Sequence, residues 1–165
     1  MSFHRAHLAI IGLTALNYAM MLVYSIPKLL GAADGLWLFD LRAMGYSIAE
    51  ATRYLNTITP EGRLFYLEVQ LMLDTFFPAL LAVSLMITLY RLMPKLPVLY
   101  LFPLSGALFD YYENAAVGQM LLTTAPDAGL VEMASLLTQL KFVSIAMSLL
   151  AILWFWLKGK FDPRA

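Results

Sequence analysis

The chain has 165 residues, 61% of them hydrophobic and only 13% charged, with a formal net charge of zero. Soluble domains run near about 45–50% apolar and about 25% charged, and one of this size could not hide so much apolar surface in a single core. The neutral balance gives no nucleic acid or polyanion a reason to bind, the absence of cysteine rules out disulfides, thiol catalysis and thiolate metal sites, and histidines at positions 4 and 7 alone cannot build a zinc site.

Four apolar runs follow in chain order, at about residues 8–30, 64–92, 96–122 and 130–157. Each exceeds the roughly 20 residues that a helix needs to cross a ~30 Å hydrocarbon core. They lack the short alternating segments of a membrane barrel. The expected fold class is therefore all-α, a polytopic four-transmembrane-helix bundle forming a single integral membrane domain over residues 1–165. Membrane lipids are its expected surroundings, and no cofactor or metal ion is expected.

The first run is too long for a signal peptide and carries Asn17, Tyr18 and Tyr24, so it reads as a retained helix. Thr14, Asn17, Tyr18, Met21, Tyr24 and Ser25 form its polar stripe. The first external loop, residues 31–63, is about 33 residues long, and loops of that length are usually functional or structured. Ser47 and Glu50 match a capping box, with Ile48, Ala51 and Leu55 following at helical spacing. A short amphipathic helix is expected there. With Trp37, Phe39, Tyr46 and Tyr54, the loop reads either as a folded cap over the bundle or as an interfacial helix that packs its ends. Arg53 and Arg63 read as solvated loop charges.

Thr59-Pro60-Glu61 supplies an N-cap, a first-turn proline and a first-turn acid for the second helix. Tyr66, Gln70, Asp74 and Pro78 then recur every four residues. Pro78 has no N–H to give the Asp74 carbonyl, so a kink and a free acceptor are expected there; Pro103 likewise frees the Leu99 carbonyl. The connection at Met93-Pro94-Lys95 is short enough to make helices two and three antiparallel neighbours. The third helix places Gly106, Asp110, Asn114 and Gly118 four apart, flanked by Pro103 and Glu113. The fourth carries Thr138, Lys141, Ser144 and Ser148, and ends in Trp154-Phe155-Trp156. No internal repeat is visible, so an inverted-repeat transporter has no support.

Arg5, Arg91, Lys95, Lys158, Lys160 and Arg164 outnumber Lys28, Arg42, Arg53 and Arg63 across the two faces. The positive-inside rule then puts both termini in the cytoplasm.

A charge at mid-membrane costs roughly 2.5–3.5 kcal/mol on insertion scales. Glu68 and Glu132 lie near span ends and can reach the interface. At ~1.5 Å per residue, Asp74 sits roughly 15 Å inside its helix, and Asp110, Glu113 and Lys141 fall at similar depth. Three carboxyls and one ammonium cannot all be charged cheaply in one buried place, so Lys141 is expected to pair with one or two acids while another keeps its proton. Asp74, Asp110, Glu113 and Lys141 are the candidate acid/base or ligand-pairing groups. Asn17, Tyr18, Tyr24, Gln70, Tyr111 and Asn114 are candidate ligand-binding residues; taken singly, Asn17, Tyr18 and Gln70 suit supporting hydrogen bonds. The competing reading is structural: buried polar groups knit the bundle together and the glycines allow close packing.

Asp74-Thr75-Phe76-Phe77-Pro78 and Asp110-Tyr111-Tyr112-Glu113-Asn114, with Gly45-Tyr46 and Gly62-Arg63 in the loop, resemble motifs of a group of small bacterial four-helix integral membrane proteins. That resemblance covers most of the chain, implies a bacterial inner membrane as the location, and implies no activity. Glu68 preceding Phe76-Phe77-Pro78, a four-helix count and a long first loop are similar to the EXPERA group, which includes sterol isomerases and a small ligand-binding receptor. This second resemblance implies buried acids beside a lipid-like ligand in a pocket open to the membrane. The chain departs from that group in lacking the isomerases' histidine, and its Asp110–Asn114 motif has no counterpart there.

Three functions follow as expectations. The first is a membrane-embedded pocket for a small apolar or amphipathic, lipid- or isoprenoid-like molecule, with proton-transfer chemistry if it is an enzyme. The second is a proton-coupled carrier, which four helices would support best as a homo-oligomer. The third is an accessory membrane subunit.

Overall fold

A computed structural model describes residues 3–161, and every regular element among them is helical. Helix α1 runs Phe3–Ala32, α2 Ile48–Thr57, α3 Pro60–Leu92, α4 Leu101–Leu121 and α5 Ala128–Phe161, with 3₁₀ turns at Phe39–Leu41 and Pro97–Tyr100. Three of these, Phe3–Ala32, Pro60–Leu92 and Ala128–Lys158, are long and apolar enough to cross a membrane. Of the basic residues used for orientation, Arg164 lies outside the described residues, as does the side chain of Lys160.

The starts follow local chemistry. Thr59 Oγ1 accepts the Gly62 amide at 3.1 Å and Pro60 opens α3, as the sequence predicts. Asp127 Oδ1 caps α5 by accepting the Leu130 amide at 3.0 Å. The third helix departs from expectation. Its α-helical part begins at Leu101 rather than near Leu96, because Pro94 and Pro97 withhold donors and push their predecessors out of the helical region, leaving a 3₁₀ turn instead.

Helices α4 and α5 form the most intimate pair, α3 packs against α4, and α1 docks on α3 at the edge. Arg63 at the start of α3 donates from Nη1 to the carbonyls of Leu121 and Thr123, both at 2.7 Å, and from Nη2 to that of Leu55 at 2.5 Å. It is therefore no solvated loop charge. A planar fork can satisfy several orphan carbonyls at a helix end, and here it ties the C-terminus of α4 to the loop. Next to it, a Cβ on Gly62 would lie 2.4 Å from Ala32 Cβ, so glycine is what lets α1 and α3 approach.

The expected row of Gly106, Asp110, Asn114 and Gly118 holds only in part. The buried face of α4 is Pro103, Gly106, Asp110, Glu113, Val117 and Met120. Steps of four residues overrun the 3.6-residue turn, so the row drifts around the helix and leaves Asn114 and Gly118 half-buried. On α5, Thr138, Lys141, Ser144 and Ser148 are all buried, as predicted. On α1 the inward positions are His7, Thr14, Met21, Ser25, Ile26 and Leu29, while Leu8, Leu13, Leu16 and Leu22, with Tyr18 and Tyr24, remain exposed.

The first loop folds inward as a cap. Leu38, Phe39, Tyr46, Tyr54 and Leu55 are buried in the main apolar cluster, and Trp37 stays outside. Phe39 packs on Tyr46 and Tyr54 at centroid distances of 5.0 and 4.7 Å, and Arg42 covers all three rings while donating to the Trp37 carbonyl. Burial, with the nearby Glu113 and Asp40 charges, holds the Tyr46 and Tyr54 phenols well above the ordinary tyrosine range.

The capping box on α2 is present as expected: Glu50 Oε2 accepts the Ser47 amide at 2.8 Å and the Ser47 hydroxyl at 2.7 Å. These donors hold the Glu50 carboxyl below its ordinary range. Its contribution to α2 is thus complete above that range and lost as pH falls to the lowered value beneath it. Amide exchange of residues 47–51 is expected to speed up, relative to the rest of α2, on acidification.

Gly45 has a φ of 81° and lies against α5, where Tyr46 N donates to Ser135 Oγ at 2.8 Å. A Cβ at Gly45 would sit 2.4 Å from Gln139 Nε2 and 2.7 Å from Ser135 Oγ. Gly45→Ala is expected to release the cap from α5 and to cost at least the roughly 1–2 kcal/mol of a left-handed non-glycine residue. Faster amide exchange over residues 38–47 would report it.

Candidate functional site

Beneath the cap, four carboxyls and one ammonium meet. Lys141 Nζ lies 2.5 Å from Glu113 Oε2 and 3.4 Å from Asp110 Oδ1, and donates to the Asp40 carbonyl at 3.3 Å. Glu113 Oε1 accepts the Thr138 hydroxyl at 2.5 Å. All these side chains are buried. The ion pair joins α4 to α5, and the Asp40 contact joins both to the loop.

Asp40 is the residue that sequence reasoning misses. It sits in the Phe39–Leu41 turn, reaches down into the bundle and is 4% exposed. Its Oδ1 accepts a very short hydrogen bond from the Tyr66 hydroxyl, and its Oδ2 accepts from Gln70 Nε2 at 3.1 Å. Tyr66 and Gln70 bound a π-type turn, Tyr66–Gln70, within α3. Such turns recur at functional sites because the extra residue re-aims side chains. The available signal was an acid flanked by Leu38, Phe39 and Leu41, which has no solvated face to occupy.

Asp74 differs from the other acids. It is 3% exposed, its Oδ2 has no hydrogen-bond partner among the described residues, and it lies within electrostatic reach of Asp110, Asp40, Glu113 and Lys141. Gln70 Oε1 and Asn114 Oδ1 are likewise buried acceptors without a donor. Around Asp74 the backbone is held from outside. Asn17 Nδ2 donates to the Leu73 carbonyl at 3.1 Å, Asn114 Nδ2 to that of Asp74 at 3.2 Å, and the Tyr111 hydroxyl to that of Thr75 at 2.9 Å. The Asp74 carbonyl is the one that Pro78 frees, so the expected extra acceptor exists and α4 uses it.

A cavity of about 200 Å³ opens beside these groups. Asp40, Asp74, Asp110 and Lys141 form its polar wall, and Tyr18, Met21, Phe77, Leu81, Phe142 and Ile145 its apolar one. Tyr18 stacks on Phe77 at 5.3 Å. Of the candidates, Asp74, Asp110, Lys141 and Tyr18 line the cavity. Glu113 and Gln70 stand behind it, fixing Lys141 and Asp40. Asn17, Asn114 and Tyr111 link helices. Tyr24 lies on the exposed face, 54% accessible, edge-on to Phe65 beside the Lys28 ammonium. Among the described residues, no three His, Cys, Asp or Glu side chains converge to hold a metal ion.

A larger, shallow depression of about 690 Å³ lies near Arg63, Leu121 and Thr124, away from the acids. A separate polar cluster closes the opposite end. His7 is buried, with Nε2 against the Ser84 carbonyl at 3.3 Å and Thr88 Oγ1 at 3.2 Å, while Arg91 Nη1 reaches Nδ1 of both His4 and His7 at 3.2 Å. It fastens the start of α1 to the end of α3. Compared with known proteins, the chain matches no family model, no curated protein and no solved structure.

Proposed function

We propose that this chain is a four-span integral membrane protein whose acidic cavity binds or transforms a small apolar or amphipathic, lipid- or isoprenoid-like molecule. The observation that carries the reading is Asp74, a buried carboxyl without a hydrogen-bond partner in the wall of a largely apolar cavity. An unmet buried polar group costs roughly 1–3 kcal/mol, and an acid inside a membrane is a functional-site candidate on cost alone.

A fourth crossing by α4 is supported by its length, roughly 30 Å at 1.5 Å per residue. It is supported also by its packing against α3 and by the contact of Arg63 at the start of α3 with Leu121 at the end of α4. An even number of spans returns both termini to one side, and Arg91, Lys95 and Lys158 favour the cytoplasmic side of a bacterial inner membrane. If the protein is an enzyme, Asp74 and Asp110 are the acid/base pair, because Lys141 lies near Asp110 while Asp74 stands unpaired. The structural reading fits Glu113, Lys141 and Thr138, which satisfy one another, and leaves Asp74 unexplained.

Gentle extraction followed by mass spectrometry tests this. The expected result is an apolar small molecule retained near one per chain and released on unfolding. A clean protein that instead drives uptake along a pH gradient in proteoliposomes would replace this reading with the carrier.

A further inference from the structure

We propose that the cavity receives only the compact, hydrogen-bond-donating head of a single-chain lipid, which enters sideways between α1 and α5 and leaves its tail in that gap. This rests on the reading of the cavity as a ligand site and adds the class of ligand and its route.

Three observations carry it. The first is size. About 200 Å³ is below the roughly 300–1,000 Å³ of pockets that enclose whole ligands, so a head and a few carbons fit and the remainder stays outside.

The second is the inventory of hydrogen-bonding groups. Of the three carboxyls on the cavity wall, Asp40 and Asp110 have partners, whereas the Asp74 side chain meets no donor among the described residues. Both Asp40 oxygens are taken, and Lys141 is committed to Glu113, Asp110 and the Asp40 carbonyl. The vacancy is thus for an N–H or O–H donor. A carboxylate or phosphate head would add negative charge beside four carboxyls whose ammonium is already engaged, with the neutral Tyr18 hydroxyl as the donor on the cavity wall.

The third is access. Phe39 and Asp40, fastened to α3 and α5, close the end of the bundle under the cap. At the side, α1 packs on α3 and makes no substantial contact with α5. The gap is bordered by Tyr18, 43% exposed, and half-buried Phe142 and Ile145. A flexible alkyl chain fits such a slot.

The test is saturable photolabelling in nanodiscs with a dodecylamine carrying a mid-chain diazirine. Unlabelled dodecylamine, dodecan-1-ol, dodecanoate and a sterol serve as competitors. Label is expected on peptides containing Tyr18, Phe142 or Ile145. The amine and the alcohol should compete at least tenfold better than dodecanoate or the sterol. Ile145→Trp, which fills the gap and changes no charge, should reduce labelling severalfold in variant protein that still unfolds cooperatively. Equal competition by dodecanoate, a better fit for the sterol, or label confined to residues 38–47 would overturn the proposal. So would an absence of saturable labelling while the purified protein still retains a small molecule, which leaves the cavity's ligand role standing. If nothing is retained either, the two readings fall together.

Discussion

Lys141→Met is expected to destabilise the protein by about 3–5 kcal/mol, the cost of removing one partner from a buried ion pair. The ammonium lies between Asp110 and Glu113 and also holds the Asp40 carbonyl, so its loss strands two carboxyls from α4 against α5 and frees the cap. Most of that cost comes from the uncompensated acids, not from the pair's own net worth. Lys141→Met combined with Glu113→Gln should therefore recover a large part of the loss, because two neutral side chains of similar volume leave fewer orphan charges. Detergent-denaturation midpoints of the two single variants and the double variant give the coupling directly. Additive losses would mean that Lys141 and Glu113 do not act as a unit. A single variant that unfolds at the wild-type midpoint would mean that the ammonium does not hold α4, α5 and the cap together.

The helices were legible because apolar runs and punctuation agree. Thr59-Pro60 starts α3 and the Ser47–Glu50 box starts α2, each through a local hydrogen bond that the sequence spells out. The freed Asp74 carbonyl was legible too, since a proline's missing donor has a fixed address four residues back. Long-range features were not. Asp40 was hidden by its position in a loop, where acids are ordinarily solvated, and only the tertiary fold brings it against Tyr66 and Gln70. Arg63 was misread for the same reason, its partners being carbonyls at the far end of another helix. Asn114 and Tyr111 were candidate ligand-binding residues, and spacing fixes a rough face but not the partner a side chain finds. In the fold both donate to backbone carbonyls of α3.

The structure also separates two acids that the sequence treats alike. Glu113 has Lys141 and Thr138 as partners, whereas Asp74 has none. Glu113→Gln should therefore weaken the fold, leaving Lys141 with Asp110 at 3.4 Å. Asp74→Asn removes no hydrogen bond from the described residues and keeps the side chain's shape. It also removes an acid from beside Asp110. Its effect on stability is expected to stay within about 1 kcal/mol. Its effect on ligand should be large, because the amide carries a donor of its own where the site offers an empty acceptor. An amine head that takes the Asp74 proton would be held by a charge-assisted hydrogen bond worth roughly 1.5–3 kcal/mol, so its loss would weaken binding about ten- to a hundredfold.

Asp74→Asn, measured for unfolding midpoint and retained small molecule in the same preparation, addresses the central claim most directly. The expected result is a wild-type midpoint with the bound molecule gone. A variant that loses its fold along with the molecule, or one that keeps both, would contradict a ligand-binding role for Asp74.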